Sequence, residues 1–100
     1  MSVLHFVSFK YKADVDEAQR REHRARLAAL HDVDGITSLK VGADIVRSPR
    51  SYDTGLSVTF VDRAALEAYQ KSPRHIPVAQ FGVSITDHIV AVDFEIDTTV

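Results

Sequence analysis

Tyr69, His75 and His5 are the residues of this chain best suited to moving a proton on a small organic molecule. His75 follows Tyr69 by six positions, across Ser72-Pro73-Arg74, and His5 sits inside an apolar run near the start of the chain. An imidazole that titrates near neutrality can serve as a general base, a role that contributes about 10²–10⁴ in rate. A phenol hydroxyl can hydrogen-bond a carbonyl oxygen as negative charge gathers there. Each residue also has an ordinary reading. His75 could finish a helix or anchor a bend, Tyr69 could be a core aromatic with a wet hydroxyl, and His5 could be a satisfied core histidine.

Other chemistries find less support. The chain has no cysteine, which removes disulfides, thiolate nucleophiles and cysteine metal sites. A glycine-rich phosphate loop and a nucleophile elbow are both missing from the sequence. A metal site built from His5, His75 and Asp93 would lack any close-spaced pair such as His-x-x-x-His, so no metal is expected. His23 and His31 are two helical turns apart, too far to share one ion, and read as surface residues.

The elements that must position these side chains follow from pattern. Residues 3 to 11 alternate as a strand, with Val3, His5, Val7, Phe9 and Tyr11 on one face and Leu4, Phe6, Ser8 and Lys10 on the other. Both faces are largely apolar, which predicts a cover on each side of the sheet. Asp14 or Asp16 caps a helix from Val15 to about His31. Its buried stripe carries Leu27 and Leu30, but one turn earlier offers His23 and Arg24. Asp34-Gly35 makes a turn, Ile36 to Asp44 a second strand, Val46 to Ser51 a polar loop and Tyr52 to Val61 a third strand. Asp62 caps a short helix through Tyr69, with Leu66 and Tyr69 facing inward. Pro73 and Pro77 make Ser72 to Pro77 a bend, Val78 to Thr86 reads as a short irregular helical return, and a last strand runs from about His88 to Ile96. Asp97 to Val100 reads as a tail.

The order strand, helix, strand, strand, helix, strand is the ferredoxin-like split unit, an α+β fold with a four-stranded antiparallel sheet and both helices on one face. With Leu4, Phe6, Ile89 and Ala91 assigned to the open face, that face would be a larger apolar patch than a monomer exposes. Two such sheets packed face to face would make a homodimer. At 100 residues the chain is one domain, 1–100, of a size at which a partner subunit adds useful burial.

Composition narrows the partners. Charged residues make up 26% and hydrophobic residues 45%, with a net charge of −2, so neither nucleic acid nor an anionic membrane is an expected partner. The basic run Arg20 to Arg26 is flanked by Asp14, Asp16 and Glu17 and contains Glu22, which makes it a solvated helix face. No apolar run approaches the roughly 20 residues that span a bilayer. The first residues lack the pattern of a signal peptide, so a cytoplasmic protein is expected.

Taken together, several short motifs resemble the stress-responsive dimeric α+β barrel (Dabb) family over nearly the whole chain. They are His5 with Phe9-Lys10, Val41-Gly42, Tyr52-Asp53, Val58-Thr59-Phe60 with Asp62, Leu66-Glu67-Ala68-Tyr69 before Pro73 and His75, and Val92-Asp93-Phe94. The resemblance implies a homodimer whose two sheets form a barrel, and a small organic ligand held between sheet and helices without metal or organic cofactor. In a plant polyketide cyclase of this family, which makes olivetolic acid, a Tyr and a His serve an intramolecular aldol ring closure. By resemblance those catalytic roles fall on Tyr69 as carbonyl partner and His75 as general base. His5, Arg24, Leu27 and Thr54 are then the candidate substrate-binding residues, since His23 and Arg24 stand at first-helix pocket positions of that cyclase, Thr54 at a pocket position of its third strand and Leu27 on the apolar side of that first helix. An inward Arg24 would favour a carboxylate ligand. The resemblance leaves three functions open: a binding protein without turnover, a cofactor-free cyclase or isomerase, and a small cofactor-free monooxygenase of the same barrel superfamily.

Overall fold

The computed structural model describes residues 1–96, so the expected tail at 97 to 100 lies outside the described residues. Strands β1 (Ser2–Tyr11), β2 (Ile36–Ala43), β3 (Thr54–Phe60) and β4 (Thr86–Ile96) form one antiparallel sheet in the order β2-β3-β1-β4. Helices α1 (Glu17–Ala28), α2 (Arg63–Gln70) and α3 (His75–Ile85) complete the ferredoxin-like α+β fold. No helix among the described residues is long and apolar enough to cross a membrane.

Paired residues of an antiparallel ladder share a face, so the register decides what meets the helices. His5 lies opposite Val58 on one side and Asp93 on the other. Val3, Val7, Phe9, Leu56, Val58 and Phe60 thus form the inner face, and all are buried in one core cluster with Leu27, Leu30, Leu66 and Tyr69. The same register corrects one expectation. Ile89 pairs with Phe9 and Ala91 with Val7, which puts both on the inner face; the open face carries Leu4, Phe6, Val90, Val92 and Phe94 instead. Phe6, Val90, Val92 and Phe94 are exposed, Val92 to 62%.

The helix ends follow from local chemistry. Asp16 accepts from the Gln19 backbone at 2.8 Å while the Gln19 side chain accepts from the Asp16 backbone, a reciprocal cap that starts α1 at Glu17 and leaves Val15 buried in front of it. A 3₁₀ turn, Ala29–Asp32, extends α1. Asp62 caps α2 through the Ala65 N–H at 2.9 Å. Gly35 turns into β2 with φ 87°, and a Cβ there would lie 2.5 Å from that of Ala65. The expected bend at 72–77 and irregular return are corrected to a shorter turn followed by a regular helix from His75 to Ile85. Pro77 is its third residue, within the first turn where a backbone N–H has no intrahelical partner to lose. Thr86 then begins β4, two residues earlier than its pattern predicts, and a bulge between Lys10 and Tyr11 takes up the extra residue.

The buried carboxylate of Asp53 ties the end of β1 to its neighbours. It accepts from the Tyr11 backbone N–H at 2.9 Å and from Arg47 at 2.7 Å, with Lys10 and Arg20 at 3.7 and 3.9 Å. The Asp53 backbone donates to Phe9 and accepts from Asp44. Arg47 takes a left-handed φ of 54°, a conformation that costs a non-glycine residue roughly 1 kcal/mol or more, and its guanidinium ends on Asp53. Burial pushes the Asp53 carboxyl up, but the Tyr11 N–H and Arg47, with Lys10 and Arg20, outweigh it and hold the group below its ordinary range. Removing one member of such a buried set leaves the others uncompensated. Asp53→Ala is expected to cost about 3 kcal/mol of unfolding free energy in a urea titration; a loss below about 1 kcal/mol would show that the carboxylate is dispensable.

Candidate functional site

Between the inner sheet face and the helices lies a cavity of about 200 Å³. His5 enters it from β1, His23 and Leu27 from α1, Tyr69 from α2, and His75 and Gly82 from α3; most of the remaining wall is apolar. Exposed Val83 of α3 and exposed Ile89 of β4 also line it.

Tyr69 and His75 come together because α3 starts five residues after α2 ends, and the turn between them folds the imidazole back onto the phenol. Their ring centroids are 4.3 Å apart. His5 meets Tyr69 edge-on at 6.2 Å. Tyr69 is only 1% exposed and its hydroxyl has no hydrogen-bond partner among the described residues, and His75 Nδ1 is likewise buried and unpartnered among them. Burial pushes the Tyr69 phenol up to about 12, so it keeps its proton. Burial also lowers His75, with neighbouring His5 in the same direction and the Gln70 backbone opposing without closing a hydrogen bond to Nδ1, a balance that favours the neutral imidazole.

Asp93 takes hold of His5. Its carboxylate meets His5 Nδ1 across the β1–β4 ladder, an acceptor that favours a proton on that nitrogen and fixes the orientation of the ring. Such a pair orients an imidazole much as a carboxylate does beside a catalytic or metal-bound histidine. Sequence reasoning offers Asp93 as a metal ligand and as part of the Val92-Asp93-Phe94 motif, with no link to His5 alone; its place opposite His5 depends on the register of β4. Among the described residues no cluster of three or more His, Cys, Asp or Glu could hold a metal ion.

His23 corrects a second expectation. It is not a surface residue but 0% exposed, packed edge-on against Phe9 at 4.7 Å and Tyr11 at 5.6 Å. The signal was its spacing: His23, Leu27 and Leu30 fall at i, i+4 and i+7, the stripe that faces a core. Its Nδ1 lies 2.8 Å from the Tyr11 hydroxyl, which donates to Thr54 Oγ1 at 2.9 Å. Its Nε2 has no partner among the described residues. Burial, then Arg24 and Arg26, lower His23 to about 4. His31 is exposed.

The remaining candidates divide. Leu27 lines the cavity, whereas Arg24 and Thr54 do not. Arg24 turns its guanidinium to Glu17 at 3.1 Å and to Thr54 Oγ1 at 3.5 Å. Thr54 is buried behind the wall, where it supports Tyr11 and through it His23.

The comparisons with known proteins agree with this architecture. The family model described as Stress responsive A/B Barrel Domain matches residues 3–96. A dimeric ferredoxin-like protein of unknown function from Thermobifida fusca superposes with TM-score 0.88 at 22% identity, covering 96% of this chain and 92% of that one. The hydroxynitrile lyase of Passiflora edulis gives 0.87 at 20% identity, covering 99% and 96%. A dimeric ferredoxin-like protein from a Jannaschia species gives 0.81 at 27% identity, covering 96% and 100%. No curated protein sequence matches the chain.

The burial of neutral His23 makes stability depend on pH. An unfolded histidine titrates near 6.5 and His23 in the fold near 4, so below pH 6.5 the unfolded state binds the extra proton. Stability is therefore full above about pH 6.5 and falls toward pH 4, by on the order of 2 kcal/mol, with lowered His75 adding in the same direction. Urea unfolding at pH 7.5 and pH 4.5 is expected to show this loss, and His23→Gln to reduce it. A flat profile in the wild type would contradict a buried neutral imidazole.

Proposed function

Since this chain belongs to the stress responsive A/B barrel domain family, a barrel fold that by itself fixes no chemistry, we propose that its cavity binds one small, uncharged, largely apolar molecule carrying a carbonyl or hydroxyl oxygen. The observation that carries this reading is the pair of unpartnered buried polar atoms, Tyr69 Oη and His75 Nδ1, on adjoining wall residues. Each unmet group costs about 1–3 kcal/mol, and a ligand oxygen between them would recover part of that. The size fits: about 200 Å³ exceeds the roughly 150 Å³ apolar cavity that accepts benzene, leaving room for a ring with a short substituent. Among the described residues no lysine or arginine lines the wall, so a carboxylate would enter without a counter-charge.

A catalytic reading has one specific observation in its favour. Burial keeps His75 unprotonated beside a phenol that holds its proton, the division of labour that proton abstraction next to a carbonyl needs. His75 would take a proton from the carbon alpha to the carbonyl, the electron pair would move into the enolate, and the Tyr69 O–H would hydrogen-bond the enolate oxygen. His5, oriented by Asp93, would support the site. Ring closure and isomerisation are alternative fates of that enolate, and the Passiflora edulis neighbour, named a hydroxynitrile lyase, is a protein of this fold with enzymatic work on a small molecule. We also read the outward residues Phe6, Val90, Val92 and Phe94 as the face on which a second copy packs, in keeping with the dimeric neighbours.

Acetophenone and benzoate serve as matched probes. Calorimetric titration is expected to find acetophenone bound and benzoate excluded, with Tyr69→Phe weakening acetophenone about tenfold. Equal binding of both probes, or an unchanged Tyr69→Phe, would defeat the binding reading. For catalysis, the wild type should accelerate deuterium exchange at the acetophenone methyl group in heavy water and His75→Ala should abolish the acceleration; exchange at the buffer rate would leave binding alone. Val92→Glu is expected to convert a dimer into a monomer by light scattering, and a wild-type monomer would refute the packing of two sheets.

A further inference from the structure

We infer that His23 is a second polar anchor of this cavity, a hydrogen-bond acceptor that selects ligands carrying a hydroxyl or N–H group in addition to the carbonyl. The inference rests on the ligand-binding reading above and adds a specificity residue on a different wall, from α1.

The direction of the hydrogen bonds fixes what His23 can offer. The Tyr11 hydroxyl donates to Thr54 Oγ1 at 2.9 Å, and the Arg24 guanidinium approaches the same oxygen at 3.5 Å. With its proton committed there, the Tyr11 oxygen is an acceptor for His23 Nδ1–H at 2.8 Å. A neutral imidazole with its proton on Nδ1 presents a bare lone pair at Nε2. That nitrogen is buried without a partner among the described residues, in a side chain that lines the cavity. Burial and the positive charges of Arg24 and Arg26 disfavour the imidazolium, so Nε2 stays an acceptor through the neutral range.

Gly82 of α3 faces the same atom. A Cβ at that position would lie 2.9 Å from Nε2, so only glycine lets α3 pack this closely against the imidazole without pushing it out of place. The cavity therefore has two polar ends with unlike demands. Tyr69 offers a proton and suits a carbonyl, whereas His23 requires one and suits a hydroxyl or N–H. A ketone or aldehyde carrying a hydroxyl group elsewhere on a compact skeleton meets both.

The test uses acetophenone and its three ring-hydroxylated isomers on the intact protein. At least one isomer is expected to bind the wild type about tenfold more tightly than acetophenone, the value of one well-placed hydrogen bond. His23→Asn, which keeps a donor near Tyr11 but has no atom at the Nε2 position, should reduce that preference to less than about twofold. In the wild type, the ¹⁵N resonance of His23 Nε2 should shift with the preferred isomer and not with acetophenone, a readout that needs no variant to fold. If acetophenone itself does not bind, the binding reading fails and this inference with it. If acetophenone binds but no isomer is preferred, or the preference survives His23→Asn, or the Nε2 resonance stays still, this inference alone is overturned.

Discussion

The buried carboxylate of Asp53 sets the geometry on which the rest of the structure depends. It holds the Tyr11 backbone at the end of β1, which aims the Tyr11 side chain so that its hydroxyl reaches Thr54 and His23. That hydrogen bond in turn seats α1 over the sheet and points the other face of the imidazole toward α3. Burying an ion is costly unless its partners are in place; here a backbone N–H and Arg47, with two further cations nearby, supply them. A loop whose Arg47 is left-handed is thus held against the sheet by the same charge that orders the cavity wall behind it.

The interior that results is apolar in bulk and polar at a few chosen points. Three wall residues, His23, Tyr69 and His75, each keep one buried polar atom unpartnered among the described residues. A core optimised for stability alone would replace such atoms with hydrocarbon, because an unsatisfied donor or acceptor costs more than an apolar isostere. Local violations of this kind concentrate where a structure does chemical work. The desolvation that makes them costly also sets their protonation, holding the phenol protonated and the imidazoles bare at neutral pH.

Much of the fold is legible in the sequence. The alternation of Val3, His5, Val7, Phe9 and Tyr11 names the inner face of β1, and Asp16 and Asp62 mark the starts of two helices. The meeting of Tyr69 and His75 is legible too, because a short turn after a helix returns the chain onto its last buried residue. Other features depend on tertiary context. His23 looks polar in isolation and becomes a core residue only because Tyr11 and Phe9 receive it, although its spacing to Leu27 and Leu30 carried the hint. Pro73 and Pro77 read as breakers, yet Pro77 falls in a first helical turn, where proline costs little. Arg24 is ambiguous by sequence, since a long side chain can turn either way; Glu17 and Thr54 draw it away from the cavity. The assignment of Ile89 and Ala91 to a face failed for a clearer reason: β4 is apolar on both sides, so its pattern does not reveal which set points inward.

That ambiguity gives Asp93 a part in folding. Sliding β4 by one residue along β1 would exchange every inward side chain for an outward one, and a strand with Ile89 and Ala91 on one side and Val90, Val92 and Phe94 on the other would lose little hydrophobic burial by slipping. Asp93 breaks the tie. In the native register it meets His5; one step away it would lie on the apolar outer face, with the imidazole set against hydrocarbon. A single carboxylate can therefore act as a proofreading mark for an edge strand, penalising the misaligned sheet more than it strengthens the correct one.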